Sequence, residues 1–224
     1  MKYKDLLFDV DDTLLDFGKD EHQAIIHTFE TLGIEPNDTN INLYVAINAT
    51  LWELHNQGKF PKSAIPKMRF AYTLSVLQHD DIDPMEAANT YIEALAHTGN
   101  LFDNVIETLL QLKQQGYRLH LITNGFTYIQ TNRLSRSGLD KIVDNVFISE
   151  AIGHNKPDVA FLNYVANHID NFNPNEALII GDSYSSDIKL GLNNDIDTLA
   201  ISSKPLKDAT YQLNHVKNIF TILN

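Results

Sequence analysis

The chain of 224 residues contains no cysteine. Disulfides, thiolate nucleophiles and cysteine-ligated zinc are therefore excluded, and a reducing compartment is consistent with the absence. Positive charge is also scarce. Seventeen lysines and arginines stand against 29 aspartates and glutamates, a formal net charge of −12. Such a surface repels phosphate backbones, which argues against a nucleic-acid polymer as partner. Long apolar runs are missing as well. None approaches the roughly 18 residues of a membrane span. The first run, Leu6 to Val10, is cut by Asp9 and followed by Asp11, so it does not read as a signal peptide. The expectation is a soluble cytoplasmic protein with no membrane partner. The nine histidines are scattered without metal-ligand spacing, so none is assigned to zinc.

What is present is an ordinary apolar fraction of 43%, enough to build one large domain or a core with a small insert. Residues 4–10, 117–122, 143–148, 177–180 and 197–202 read as short strands, several of them nearly pure aliphatics. Helical spacing predicts helices over 104–115, 127–137, 158–170, 184–193 and 216–223. Alternation of this kind gives parallel βαβ units. Between residues 18 and 100 no strand pattern occurs. Helical spacing over 19–32, 38–57, 62–79 and 84–97 predicts an all-helical unit inserted after the first strand. The expected fold is α/β, a doubly wound Rossmann-like parallel sheet core of residues 1–17 and 99–224, with an all-helical insert over 18–98.

Four polar clusters each follow an apolar run. Asp9 and Asp11 stand at the exit of the first strand. A carboxylate there can attack phosphorus in line, and a second carboxyl two residues on can protonate the bridging oxygen. Two carboxylates this close repel unless a cation intervenes, and Mg²⁺ suits oxygen ligands of this kind. Thr123 and Asn124 precede Gly125 and a helix, where backbone N–H groups and a hydroxyl can bind an anion. Lys156, in a polar loop before Pro157, could offset negative charge in a transition state. Asp182 and Asp187 follow the aliphatic strand and Gly181, five residues apart, and could approach a metal from one side. Each cluster alone also reads as a turn, a helix cap or a solvated lysine. Their joint occurrence at strand exits is the stronger signal, because open α/β sheets bind ligands beyond the carboxyl ends of their strands.

In this order the four clusters resemble the motifs of the haloacid dehalogenase-like (HAD) superfamily. Asp9-Val10-Asp11-Asp12-Thr13 resembles its Asp-x-Asp-x-Thr block, Thr123 the strand-ending hydroxyl, Lys156 the lysine, and Gly181-Asp182 through Asp187 the last acidic block. The resemblance implies that Asp9 is a nucleophile forming an aspartyl-phosphate and Asp11 the general acid, then base. It implies Mg²⁺ held by the Asp9 side chain, the Asp11 carbonyl and Asp182. It further implies that Thr123, the Asn124 backbone and Lys156 hold the phosphoryl group. Asp187 would support the metal waters or Lys156, and Thr13 would steady the Asp11 loop. Residues 18–98 would be the helical cap, which closes over the site and excludes water.

Dehalogenases of the superfamily lack the second acid, so Asp11 implies a phosphatase. The blocks Leu6–Phe17, Thr123-Asn124-Gly125 and Gly181–Asp187 look most like the pyrimidine 5′-nucleotidase branch, which hydrolyses nucleoside monophosphates. The expected substrate is thus a small-molecule phosphomonoester. A sugar-phosphate phosphatase, a phosphomutase and a non-catalytic HAD-like binding module are the alternatives. In the insert, Trp52, Tyr44 and Phe70 could stack a base but read more simply as core. Arg69 reads either as a phosphate or sugar contact or as part of a solvated helix face, and His154 is close enough in sequence to Lys156 to enter the site.

Overall fold

A computed structural model describes residues 2–223. The chain divides into two compact units, Met1–Phe17 with Gly99–Asn224, and Gly18–Thr98. No helix among the described residues is long and apolar enough to cross a membrane.

The first unit holds strands β1 (Asp5–Phe8), β2 (Arg118–Thr123), β3 (Asn145–Ile148), β4 (Ala177–Gly181), β5 (Asp197–Ile201) and β6 (Tyr211–Leu213). Among the described residues they form one six-stranded sheet in the order β3-β2-β1-β4-β5-β6, every neighbour parallel. The chain winds outward from β1 through β3, then returns to β4 on the other side of β1. Such a reversal opens a crevice at the carboxyl ends of β1 and β4.

Alternate residues of the strands face opposite layers, so aliphatics are needed at every position. Leu6 and Phe8 of β1, Leu119 and Leu121 of β2, and Leu178 and Ile180 of β4 point into one core. Leu109 and Leu112 of the next helix, Val105–Gln114, and Leu134 of the helix Thr127–Ser137 fill that same layer. Leu7, Ile122 and Ile179 point into the other core, against Phe161, Leu162 and Val165 of the helix Val159–Asn167.

The helical unit is built from the helices Phe17–Thr31 (from Gly18 onward), Asp38–Asn56, Ile65–Val76 and Pro84–Ala96. Asn37 caps the second of these by accepting from the Asn40 N–H, and Asp83 caps the fourth by accepting from Met85. Tyr44 lies at the centre of the unit, with ring centroids 5.3 Å from both Phe70 and Tyr91 and 6.4 Å from Phe29. Tyr44 and Phe70 are thus packed in the core, while Trp52 is half-buried.

Three expectations need correction. Arg69 is not on a solvated face: it is 3% exposed, donates to Asn48 Oδ1 and lies 4.3 Å from the Tyr91 ring centroid. The segment 184–193 is not one α-helix. Tyr184–Ile188 is a π-helical turn, with the Asp187 and Ile188 N–H groups both directed at the Ser183 carbonyl, and α-helix follows only over Lys189–Leu192. The terminal segment is a short 3₁₀ turn, Val216–Asn218, followed by the helix Phe220–Leu223. Strand β6 has no counterpart in the sequence reading, because two half-buried residues flanking the exposed Gln212 make no apolar run.

Candidate active site

The site grows from β1. Burial on both faces fixes the strand, and the Asp9 N–H donates to the Ile180 carbonyl of β4, so the carboxylate leaves the sheet at the crevice. The chain then turns tightly. Leu14 and Leu15 N–H groups both reach the Val10 carbonyl, and Asp12 adopts a left-handed backbone with φ of 59°. The turn places Thr13 under Asp9, and its hydroxyl donates to Asp9 Oδ2 over 3.1 Å. Thr13 therefore touches Asp9 directly, rather than only steadying the loop around Asp11.

Lys156 is 3% exposed despite its loop position. Its three N–H bonds are all spent: on Asp9 Oδ1 at 2.6 Å, Asp187 Oδ1 at 2.7 Å and the Ile122 carbonyl at 3.0 Å. The loop is fastened by Asn124, whose side-chain amide accepts from the Lys156 N–H and donates to the Lys156 carbonyl. The strand exit of β2 and the lysine loop are thus joined at two points, which no spacing in the sequence indicates.

Asp187 is fully buried, and its second oxygen accepts from the Ser183 N–H. The π-helical turn brings it there. Gly181 is obligatory for this approach, because a Cβ at that position would overlap the Asp187 carboxyl group.

Carboxylate oxygens of Asp9, Asp182 and Asp187 all lie within 4.8 Å of one another. One ammonium stands among three carboxylates, so negative charge is in surplus. Burial pushes the Asp9 carboxyl up to about 7, although Lys156 opposes it. Burial, then the charges of Asp9 and Asp187, push Asp182 up to about 9. Burial alone would lower the Lys156 pKa, but Asp187 and Asp9 outweigh it and hold the ammonium above its ordinary value. Asp182 also borders a cavity of about 300 Å³ shared with Asp12, Thr13, Ser202 and His215. A hard divalent cation fits this donor set: oxygen ligands, excess negative charge and an open approach.

Thr123, the last residue of β2, is buried. Its oxygen accepts from the Gly125 N–H at 3.1 Å and from Gln130 Nε2 at 2.7 Å. With both lone pairs engaged, its O–H remains the donor it can offer. Asp11 is held by the helix Thr127–Ser137. Its Oδ1 accepts from Arg133 Nη1 at 2.5 Å and its Oδ2 from Gln130 Nε2 at 2.8 Å. Neither Gln130 nor Arg133 is legible as a site residue from sequence, since both sit mid-helix. The available signal is their three-residue spacing on the helix that leaves Thr123. His154 is exposed.

Residues 6–201 match the family of haloacid dehalogenase-like hydrolases, and the chain belongs to that family. Two curated relatives span nearly its whole length. The HAD-hydrolase YfnB of Bacillus subtilis is 32% identical, over 100% of this chain and 96% of its own. The pyrimidine 5′-nucleotidase PynA of Streptococcus pneumoniae is 35% identical, over 94% of this chain and 88% of its own. A crystal structure of YfnB bound to magnesium superposes with a TM-score of 0.94 at 33% identity, covering all of both chains.

Proposed function

We propose that this hydrolase is a magnesium-dependent phosphatase of small phosphomonoesters, with nucleoside 5′-monophosphates as the favoured class. The observation that carries the reading is the buried Lys156 ammonium between Asp9 and Asp187, with Asp182 beside them. A lysine so placed holds positive charge where a phosphoryl group on Asp9 would sit. The similarity to PynA, named a pyrimidine 5′-nucleotidase, supports the substrate class.

In this reading an Asp9 oxygen attacks phosphorus, the ester P–O bond breaks, and the departing oxygen takes a proton from the Asp11 carboxyl. Asp11 then removes a proton from water. The resulting hydroxide adds to phosphorus, the Asp9–phosphorus bond breaks, and inorganic phosphate leaves. Thr123 O–H and the Asn124 N–H hold the phosphoryl oxygens throughout, and Lys156 joins them by turning the N–H it gives Asp9 to the phosphoryl group. Asp187 holds Lys156 in place, and Thr13 holds Asp9. Asp9, the Asp11 carbonyl and Asp182 would hold magnesium, which would supply positive charge against the phosphoryl oxygens. Residues 1–17 and 99–224 form the catalytic core, and the helical unit 18–98 is the cap that selects the leaving group.

The test is release of inorganic phosphate from p-nitrophenyl phosphate and from a panel of nucleoside monophosphates and sugar phosphates. EDTA is expected to stop turnover, and excess Mg²⁺ to restore it. Full activity in EDTA would refute the metal. No phosphate from any ester would leave only a binding module.

A further inference from the structure

Asp11 sits in a turn rather than on a strand or helix, yet its carboxyl is held from two sides by one helix, Thr127–Ser137. Arg133 Nη1 donates to Oδ1 at 2.5 Å and Gln130 Nε2 to Oδ2 at 2.8 Å. The orientation of the Gln130 amide is fixed by chemistry. Arg133 Nη1 also donates to Gln130 Oε1 at 3.0 Å, and an arginine can only donate. Nε2 must then face both Asp11 Oδ2 and Thr123 Oγ1. A single amide therefore joins the Asp11 carboxyl to the hydroxyl at the exit of β2.

Both side chains are fixed in turn. Gln130 and Arg133 are each 1% exposed. Gln130 occupies the space that a Cβ on Gly125 would need, so the glycine keeps room for it. The Arg133 guanidinium lies 5.5 Å from the centroid of the Phe17 ring. Burying an arginine and a glutamine is a poor way to gain stability, since well-packed apolar side chains of similar volume are often as good or better. What the pair provides is geometry. A carboxyl that must meet a leaving oxygen needs placement to about 0.5 Å, and a 1 Å error can cost on the order of 10²-fold in rate.

We propose that Gln130 and Arg133 are positioning residues that act through Asp11, so the proton step at the leaving group depends on this helix. The inference rests on the phosphatase reading above and adds two residues that it does not use.

The test compares kcat/KM for glycerol phosphate, whose alkoxide needs a proton, with kcat/KM for p-nitrophenyl phosphate, whose phenolate does not. The ratio of the two values is the readout. Gln130→Met is expected to lower that ratio about 10- to 100-fold, within the usual worth of a positioned acid. Any loss through Thr123 and phosphate binding falls on both substrates and cancels. Arg133→Met should lower the ratio likewise, and Arg133→Lys should recover part of it. If Arg133→Met fails to fold, the Gln130 variant carries the test alone. In an Asp11→Asn background, Gln130→Met should change the ratio no further. Equal losses on both substrates, or an undiminished effect without the Asp11 carboxyl, would overturn the proposal. A silent wild-type protein would instead bring down the phosphatase reading, and this inference with it.

Discussion

Asp9→Asn is expected to lose turnover by on the order of 10⁴- to 10⁶-fold, the scale seen when a covalent nucleophile is removed, while folding as the native chain does. The amide nearly matches the carboxylate in shape. Its oxygen can still accept from Lys156, and its NH₂ can donate to Thr13, whose hydroxyl turns to accept. What it cannot do is bond to phosphorus and leave again. A phosphatase assay with p-nitrophenyl phosphate reads the loss. Activity near that of the wild type would remove Asp9 as nucleophile.

The same variant carries a second expectation, about stability. Burial raises the Asp9 carboxyl from 3.8 to about 7. A folded state that holds its proton more tightly than the unfolded chain loses stability as pH rises between those two values. Above about 7 the full burden of the buried charge is present. A neutral amide carries no such burden. In EDTA at pH 8 the Asp9→Asn protein should therefore melt at or above the wild-type temperature. The difference should shrink as pH falls toward 4. A markedly lower melting temperature at pH 8 would mean that Asp9 is held by attractions stronger than its desolvation.

The strand exits were legible because each lies after a run of aliphatics that must be buried on both faces. Leu6-Leu7-Phe8 and Ala177 to Ile180 fix where the chain leaves the sheet, and parallel pairing brings those exits to one edge. Asp9, Thr123, Asp182 and their neighbours follow from that pattern. The residues that hold Asp11 and Lys156 did not follow. Gln130 and Arg133 lie inside a helix, where a polar pair usually marks a solvated face. Asn124 reads as a helix cap, although its side chain instead clasps a loop 32 residues away. Arg69 has its partner Asn48 on another helix, 21 residues earlier. Periodicity reports which face is apolar, not which polar group finds a buried partner. The π-helical turn at 184–188 was hidden for a related reason: one extra residue in a turn leaves the apolar spacing almost unchanged, yet it turns Asp187 inward.

Lys156→Met should produce the largest loss of stability among single changes at the site. The methionine fills most of the volume but strips Asp9, Asp187 and the Ile122 carbonyl of one shared donor. Two carboxylates are then buried without a counter-charge. Removing one partner of a buried ion pair costs roughly 3–5 kcal/mol, which in a chain of this length corresponds to a melting temperature lower by about 6–20 °C. The deficit has a defined pH dependence. Lys156 is held above its ordinary pKa, so in the native protein its contribution is present at all pH values below that and is lost only in strong alkali. Asp9, which burial already pushes up and Lys156 no longer opposes, takes up a proton as pH falls, so the variant should recover part of the loss toward pH 5. Neutralising one of them tests the account directly. Lys156→Met combined with Asp187→Asn should melt higher than Lys156→Met alone at pH 8, a sign reversal that only a buried like-charge pair predicts. Thermal denaturation of the three proteins in EDTA makes the comparison. If the double variant were the less stable one, Lys156 would be acting as packing rather than as the charge that holds two aspartates together.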